Sequence, residues 1–172
     1  MAKPDRERAA EIVRDAGGRI VGRTRFQKVA YLLELAGFGG GFEFEYRHYG
    51  PYSEDLADAV RLARAFDLIQ ETEHPTTWGG WYSVFELKGK LDPREDRDRS
   101  AFAERAAAID AVELELAATA AYLASVENST DPWGDTAERK PEKAAEGRLE
   151  NAKKAYNDLL KLKTPKPLPS IA

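Results

Sequence analysis

The sequence contains no cysteine and only two histidines, His48 and His74. Without cysteine the chain forms no disulfide and offers no thiolate to a metal ion, and two histidines do not complete a zinc site. No apolar run approaches the length of a membrane span, and the first residues lack the apolar core of a signal peptide. We therefore expect a cytoplasmic protein with no metal, no cofactor and no membrane partner.

Motifs of several common catalytic folds are also missing. The sequence has no Walker loop, no dinucleotide-binding glycine fingerprint, no nucleophile elbow and no metalloprotease helix. Its 172 residues are 42% hydrophobic and 33% charged, a composition typical of a globular protein with a well-solvated surface. We expect a protein that is not an enzyme.

The net charge of −4 is unevenly distributed along the chain. Residues 1–41 and 136–172 carry net charges of +3 and +4, whereas residues 42–90 and 91–135 carry −4 and −7. A protein that grips nucleic acid unaided usually has a stronger basic bias. The two basic ends form one patch if the fold brings them together, and otherwise they are ordinary solvated surface.

The best-marked helix lies within residues 22–37. One face is apolar at helical spacing, through Phe26, Val29, Ala30 and Leu33. Thr24 is placed to cap the start of the helix, and Gly37 is placed to end it in the left-handed conformation. This helix is the element around which we expect the rest of the chain to pack.

Three cations crowd the start of this helix. Arg23, Arg25 and Lys28 lie at the end of a helix where the macrodipole disfavours positive charge. Local helix stability does not explain them. With Gln27 they form either a binding patch for phosphates or for an acidic partner surface, or an ordinary solvated basic face.

The remaining patterns predict further helices and strands. Apolar spacing, caps and glycine or proline breaks predict helices over 5–16, 53–66, 100–127 and 141–163, and strands over 42–47, 68–73 and 81–87. The helix over 100–127 is apolar on two faces, which predicts that it packs between other elements. Ser53 is the expected cap of the helix that it begins, so Glu54, Asp55 and Asp58 are helix-start acids rather than paired catalytic carboxylates.

This order of elements predicts an α+β, mostly helical fold. Residues 1–90 would form a winged-helix-like N-terminal unit, with a β-hairpin wing whose tip is Gly79-Gly80. Residues 91–163 would form an antiparallel helical hairpin packed on that unit in one compact domain. Residues 164–172 have no packing pattern and are expected to be a flexible tail.

Two motifs resemble known families. They are the stretch Gly22-Arg23-Thr24-Arg25-Phe26-Gln27-Lys28-Val29-Ala30-Tyr31-Leu32-Leu33 and the stretch Tyr49-Gly50-Pro51-Tyr52-Ser53-Glu54-Asp55-Leu56. The pair resembles the YwgA-like family of prokaryotic proteins, as does the later segment Leu114 to Leu123 followed by Lys140-Pro141, so this resemblance covers about residues 10–165. The pair of motifs is similar, more distantly and over about 20–70, to the Panacea/SocA-like antitoxin domain. Phe26 stands where both families usually have leucine. The resemblance implies a winged-helix-like core and a regulatory or protein-binding role, and it transfers no catalytic residue.

Two further clusters are candidate sites. His48, Tyr49 and Tyr52 place a titratable, aromatic group at a strand-to-helix turn, which is either a pocket for acid–base chemistry or structural packing of the turn. Trp78 and Trp81 flank the predicted hairpin tip and are expected to lie across from each other. They are either an exposed interface hot spot or buried by the hairpin folding back on the C-terminal helices.

These observations leave three functional hypotheses. The first is a non-enzymatic regulatory or protein-interaction module, antitoxin-like or adaptor-like, that binds another protein through Arg23, Arg25, Lys28, Trp78 and Trp81. The second is a winged-helix DNA-binding transcriptional regulator. The third is an enzyme centred on His48 and its neighbouring tyrosines. A homodimer is compatible with each of them.

Overall fold

The structure is a computed structural model that describes residues 3–48 and 50–171. Within these residues the chain is α+β, with eight helices and five short strands. The helices are α1 (Asp5–Asp15), α2 (Arg23–Leu35), α3 (Glu54–Ala65), α4 (Arg97–Ala107), α5 (Ala111–Ser125), α6 (Pro132–Arg139), α7 (Pro141–Ala144) and α8 (Arg148–Leu160). The strands are β1 (Arg19–Val21), β2 (Glu45–Arg47), β3 (Gly50–Tyr52), β4 (Ile69–Pro75) and β5 (Trp81–Leu87).

The strands form two small antiparallel sheets. One has the order β1–β5–β4, with Ile20 and Glu71 both opposite Phe85. The other is the β2–β3 hairpin, in which Arg47 lies opposite Gly50. None of the helices in the described residues combines the length and apolarity that a membrane span requires.

Helices α2 and α5 form the centre of the molecule. All eight residues from 26 to 33 are buried, as are all ten from 114 to 123. Helix α5 contacts α2, β3, α6 and α8, which confirms that a helix with two apolar faces packs between other elements. Helices α1, α3 and α4 contribute further buried apolar side chains to the same core.

Several local predictions can be compared with the structure. The Oγ of Ser53 accepts a hydrogen bond from the backbone N–H of Leu56 at 3.1 Å and so caps α3, as predicted. Gly37 has a φ of +86° just after α2, as a left-handed helix end requires. Thr24 is not the cap of α2, because the chain leaves β1 and enters the helix earlier, with Gly22 at the N-cap position.

The predicted helix over 100–127 is wrong in its continuity. It is divided into α4 and α5 at residues 108–110, where the carboxylate of Asp110 accepts hydrogen bonds from the N–H groups of Val112 and Glu113. An aspartate that caps a new helix competes with helix continuation, and the apolar spacing on either side conceals the break.

The C-terminal part also departs from the prediction. The helix expected from Pro141 stops at Ala144, and α8 begins only after Gly147, whose φ is +79°. Residues 164–171, expected to lack packing, lie against the core instead. Leu168 is buried, and two backbone groups near it are held: the Lys166 N–H donates to the Ala36 carbonyl at 3.0 Å, and the Tyr156 hydroxyl donates to the Pro169 carbonyl at 2.6 Å.

Two strands are not indicated by the sequence patterns. Residues 19–21 separate two predicted helices, yet they pair with β5, which lies about sixty residues away in sequence. Residues 50–52 carry the Gly50-Pro51 signal of a turn, yet they pair with β2, which is itself only three residues long. Strands of three residues are too short to show a periodic pattern.

We expect a side chain at Gly50 to be costly. Its φ is +92°, and an added Cβ would collide with the Thr119 side chain on α5. Gly79→Ala is the matched control, since Gly79 has a φ of +93° and nothing within 4 Å of an added Cβ. Gly79→Ala should then cost about 1–2 kcal/mol for backbone strain, and Gly50→Ala about 1–3 kcal/mol more.

Urea unfolding of both variants measures the two free energies. Thr119→Ala in the Gly50→Ala background should recover part of the loss. Equal destabilisation by the two glycine substitutions would show that the contact between β3 and α5 is not tight.

Candidate functional site

The two motifs of the sequence meet at a buried polar contact between α2 and the segment 50–53. The amide of Gln27 makes two hydrogen bonds with the backbone of Ser53, donating to its carbonyl at 2.9 Å and accepting from its N–H at 2.8 Å. The Nζ of Lys28 donates to the carbonyl of Pro51 at 2.8 Å. Because Lys28 is only 1% exposed, its predicted role as a surface partner-binding residue is wrong.

A second lysine reaches the same turn from the C-terminal part of the chain. The Nζ of Lys140 donates to the carbonyl of His48 at 2.9 Å and lies 3.1 Å from the carboxylate of Glu115. Lys143 lies 2.7 Å from the same carboxylate. Glu115 is buried on α5, so it supplies the negative charge that cations in the interior need.

The protonation of Lys28 is set by its surroundings. Burial lowers the pKa of this amine to about 7; Glu115 favours the charged form, whereas Lys140 and Lys143 oppose it. In an unfolded chain the amine keeps its proton up to the ordinary lysine pKa of 10.5. Between these two values the unfolded state binds more protons than the folded state, so the stability contributed by Lys28 rises with pH.

The variant Lys28→Met tests this assignment. It leaves the carbonyl of Pro51 without its donor, which should cost about 1–3 kcal/mol near neutral pH. The stability advantage of the wild-type protein over the variant should then grow as the pH is raised from neutral towards the ordinary lysine pKa, by up to about 1.4 kcal/mol per pH unit.

Urea unfolding at several pH values measures this difference. The mildly acidic range is the internal control, because Lys28 is protonated there in both folded and unfolded states and the two stability curves should run parallel. Curves that stay parallel in the alkaline range as well would contradict a lowered pKa.

The structure separates His48 from Tyr52, because Tyr52 lines a cavity together with residues of α2 and α3 and His48 does not. His48 is exposed, and its described hydrogen bond uses the backbone carbonyl rather than the ring. The guanidinium of Arg47 lies over the ring of Tyr52, 5.1 Å from the ring centre. Tyr49 lies outside the described residues. No group of three or more metal-ligating side chains occurs in residues 3–48 and 50–171.

The arginines at the start of α2 have different roles. Arg25 donates to the carbonyl of Ile109 through Nε and Nη2, at 3.2 and 3.0 Å, and to the carbonyl of Val21 at 2.5 Å. It therefore fixes the corner between α4 and α5, and its predicted place in an exposed basic patch is wrong. Arg23 is exposed and pairs with Glu71 on β4 at 2.8 Å.

A cavity of about 320 Å³ lies between α2, α3 and the β4–β5 hairpin. Three exposed arginines lie at its edge, and these are Arg23, Arg61 and Arg64. Three buried apolar side chains form its interior, and these are Phe26, Leu56 and Phe85. The cavity thus brings together three residues of the predicted sites, Arg23, Lys28 and Tyr52. It also includes Arg61 and Arg64, which the sequence patterns do not single out as site residues.

Glu71 organises this edge. Its carboxylate accepts from Nε and Nη2 of Arg23 at 3.0 and 2.8 Å and from the Ser83 hydroxyl at 2.5 Å, and it lies 3.0 Å from the guanidinium of Arg64. Burial disfavours the ionised form, but these hydrogen bonds and arginine charges hold the pKa of Glu71 below its usual range.

The strand pattern of the sequence indicates that Glu71 has a partly buried carboxylate. In a strand with alternating faces, position 71 points to the same side as the buried Ile69. A carboxylate on the inward face of a strand needs a cationic partner. This inference can be made only after the strand and its inward face have been assigned. It does not identify the cation that pairs with Glu71.

The tip of the β4–β5 hairpin exposes its tryptophans. Trp78 is 80% exposed and Trp81 is 66% exposed. They do not lie across from each other as predicted, because Trp81 pairs with Pro75 and Trp78 lies in the loop, where its ring covers Gly80. The alternative that the hairpin buries these rings on the C-terminal helices is therefore wrong.

A larger cavity of about 520 Å³ lies between α1, the glycines at 39–41 and the segment 92–99. Its lining is charged, and the buried carboxylate of Asp15 accepts hydrogen bonds from Arg14, Arg99 and Ser100. These contacts connect α1 to α4, so the hydrogen bonds of Asp15 have a structural role.

The chain matches no protein-family model and no curated protein.

Proposed function

We propose that this protein is a non-enzymatic interaction module, antitoxin-like or adaptor-like, that binds another protein through the tip of the β4–β5 hairpin. The observation that carries this proposal is the exposure of Trp78 and Trp81, 80% and 66%, on one hairpin. Tryptophan is strongly enriched among the residues that dominate protein interfaces. Leaving two such rings in water is costly unless a partner covers them.

The hairpin is suited to present these rings in a fixed position. Its base is anchored by the buried Ile69 and Phe85, and Phe85 packs edge-on against Phe26 of α2 with ring centres 5.1 Å apart. Nearer the tip, the rings of His74 and Tyr82 stack with their centres 5.4 Å apart. A hairpin whose strands are packed in this way loses less entropy on binding than an unanchored loop does.

The order of elements supports a winged-helix-like assignment as part of the same proposal. Helices α1, α2 and α3 precede a hairpin in the chain order of that fold, with α3 in the place of the recognition helix. Helices α5 and α8 are in contact and would supply the C-terminal helical hairpin. This arrangement agrees with what the resemblance to the YwgA-like and Panacea-like families implies, and membership of either family is part of the proposal.

Replacement of both tryptophans tests the interaction. We expect Trp78→Ala with Trp81→Ala to weaken binding to a partner purified with the tagged protein from its native cells by at least about tenfold, because truncating a single interface hot spot costs about 2 kcal/mol or more. The melting temperature should stay near that of the wild-type protein, since both rings are exposed.

Phe66→Ala is the matched control, because Phe66 is 56% exposed and lies at the end of α3, which leads into the base of the hairpin rather than its tip. It should leave partner binding unchanged. Unaltered binding by the tryptophan variant, or a collapsed melting transition, would refute the proposal. Sedimentation of the purified protein separates a distinct partner from a second copy of the chain.

The second candidate, DNA binding, is favoured by one observation. Arg61 and Arg64 are exposed on α3 beside the hairpin, where a winged helix would face the double helix. Against it, Glu54, Asp55 and Asp58 are exposed at the start of the same helix and would repel phosphates.

A gel-shift titration at increasing salt tests this alternative. If DNA is bound through α3, Arg61→Glu should weaken the shift, and affinity should fall steeply with salt. Arg25→Glu is unsuitable for this purpose, because Arg25 holds backbone carbonyls inside the fold. Salt-insensitive binding, or no binding, would refute the candidate function of DNA binding through α3.

A further inference from the structure

The cavity between α2, α3 and the hairpin has a cationic edge over an apolar interior. The side chains of Arg23, Arg61 and Arg64 are 68%, 63% and 46% exposed. Among the described residues that line the cavity, Glu71 is the one carboxylate. The charged side chains that line the cavity are therefore mainly cationic, although residues 42–90, which supply Arg61 and Arg64, carry a net charge of −4.

We propose that this cavity binds an organic oxyanion, a carboxylate or a phosphate attached to an apolar body. The oxyanion would lie at Arg61 and Arg64, and the apolar body would lie on the partly exposed apolar side chains that line the cavity. This site is distinct from the exposed tryptophans of the hairpin tip.

Glu71 is a positioning residue in this site. Its side chain is only 5% exposed, and it holds Arg23 and Arg64 from the protein side. A guanidinium has five N–H donors. Glu71 accepts hydrogen bonds from two N–H donors of Arg23 and lies close to one nitrogen of Arg64. These contacts position both guanidinium groups and leave their other N–H donors for a ligand.

Two exposed carboxylates stand near the arginines on the solvent side. Asp58, one turn earlier on α3, pairs with Arg61, and both side chains are more than half exposed. Glu73 lies 3.9 Å from Arg23 and is 60% exposed. Exposed pairs of this kind contribute about 1 kcal/mol or less. An oxyanion that accepts two hydrogen bonds from a guanidinium forms a stronger pair and would replace Asp58 at little cost.

The interior explains why the ligand needs an apolar body. Tyr52, Ala57 and Val60 also line the cavity and are only partly buried, so they present accessible apolar surface to it. An inorganic anion would leave that surface uncovered, whereas an aryl or alkyl group would remove it from water. The volume of about 320 Å³ is within the range of cavities that bind small organic molecules.

Isothermal titration calorimetry of the full chain with four probes tests the proposal. Phenylacetate and phenyl phosphate carry an aryl body with a carboxylate or a phosphate, phenylacetamide is the neutral control, and inorganic phosphate lacks the body. We expect one or both aryl oxyanions to bind with a Kd on the order of millimolar, which is typical of fragments of this size. The tighter of the two identifies the oxyanion that the site prefers.

The neutral amide and inorganic phosphate should bind at least about tenfold more weakly than the better aryl oxyanion, since each lacks one half of what the site recognises. Arg61→Gln should weaken that oxyanion severalfold, and Arg61→Gln with Arg64→Gln should weaken it at least about tenfold. Arg105→Gln is the matched control, because Arg105 on α4 is 58% exposed and also pairs with an aspartate, Asp158. It should bind the probe as the wild-type protein does.

Trp78→Ala with Trp81→Ala should also leave probe binding unchanged, which separates this site from the proposed protein interface. Equal binding of the amide and the oxyanions would overturn the proposal. So would undiminished binding by Arg61→Gln, which keeps the Glu71 contacts intact, or no binding of either aryl oxyanion at concentrations well above the expected Kd.

Discussion

The fold depends on side-chain hydrogen-bond donors to the backbone carbonyl groups of the segment between β2 and α3. Strand β3 pairs with β2 along one edge, and it also packs against α2 and α5. A buried carbonyl without a partner is costly, and nearly all are paired in native proteins. Three side chains supply the donors to the carbonyls of His48, Pro51 and Ser53, and these are Lys140, Lys28 and Gln27 respectively. Because the donors come from opposite parts of the chain, they fix α2 and the C-terminal helices against one short segment.

This requirement accounts for what the sequence could not show. Gln27 and Lys28 look like surface residues on a helical wheel, because periodicity describes one helix and not what surrounds it. Contacts with α5 and β3, which are distant in sequence, cover the side of α2 that the wheel leaves polar. Helix α1, helix α3 with its cap and strand β5 were predictable, because their determinants are local.

The cations at the start of α2 illustrate the same division between local and distant causes. Beside the helix dipole alone, Arg23 and Arg25 are unfavourable. The carboxylate of Glu71, 48 residues further along the chain, and the carbonyl of Ile109, 84 residues further along, provide their partners. The candidate site was therefore predictable in part: the sequence indicated Arg23 and the two tryptophans, whereas the cavity and Glu71 depend on how the sheet packs against α2.

The burial of α2 on all sides also has a consequence for the order in which the chain folds. Helix α5 covers α2, and Lys140 holds the turn at His48, so residues 1–90 lack part of their core until the later helices are available. During synthesis, the first helices and the hairpin would leave the ribosome before α5 does, with the apolar surface of α2 still uncovered. The C-terminal helices would then act as an intramolecular chaperone for the first half of the chain, because they cover that surface before it meets a second unfolded chain.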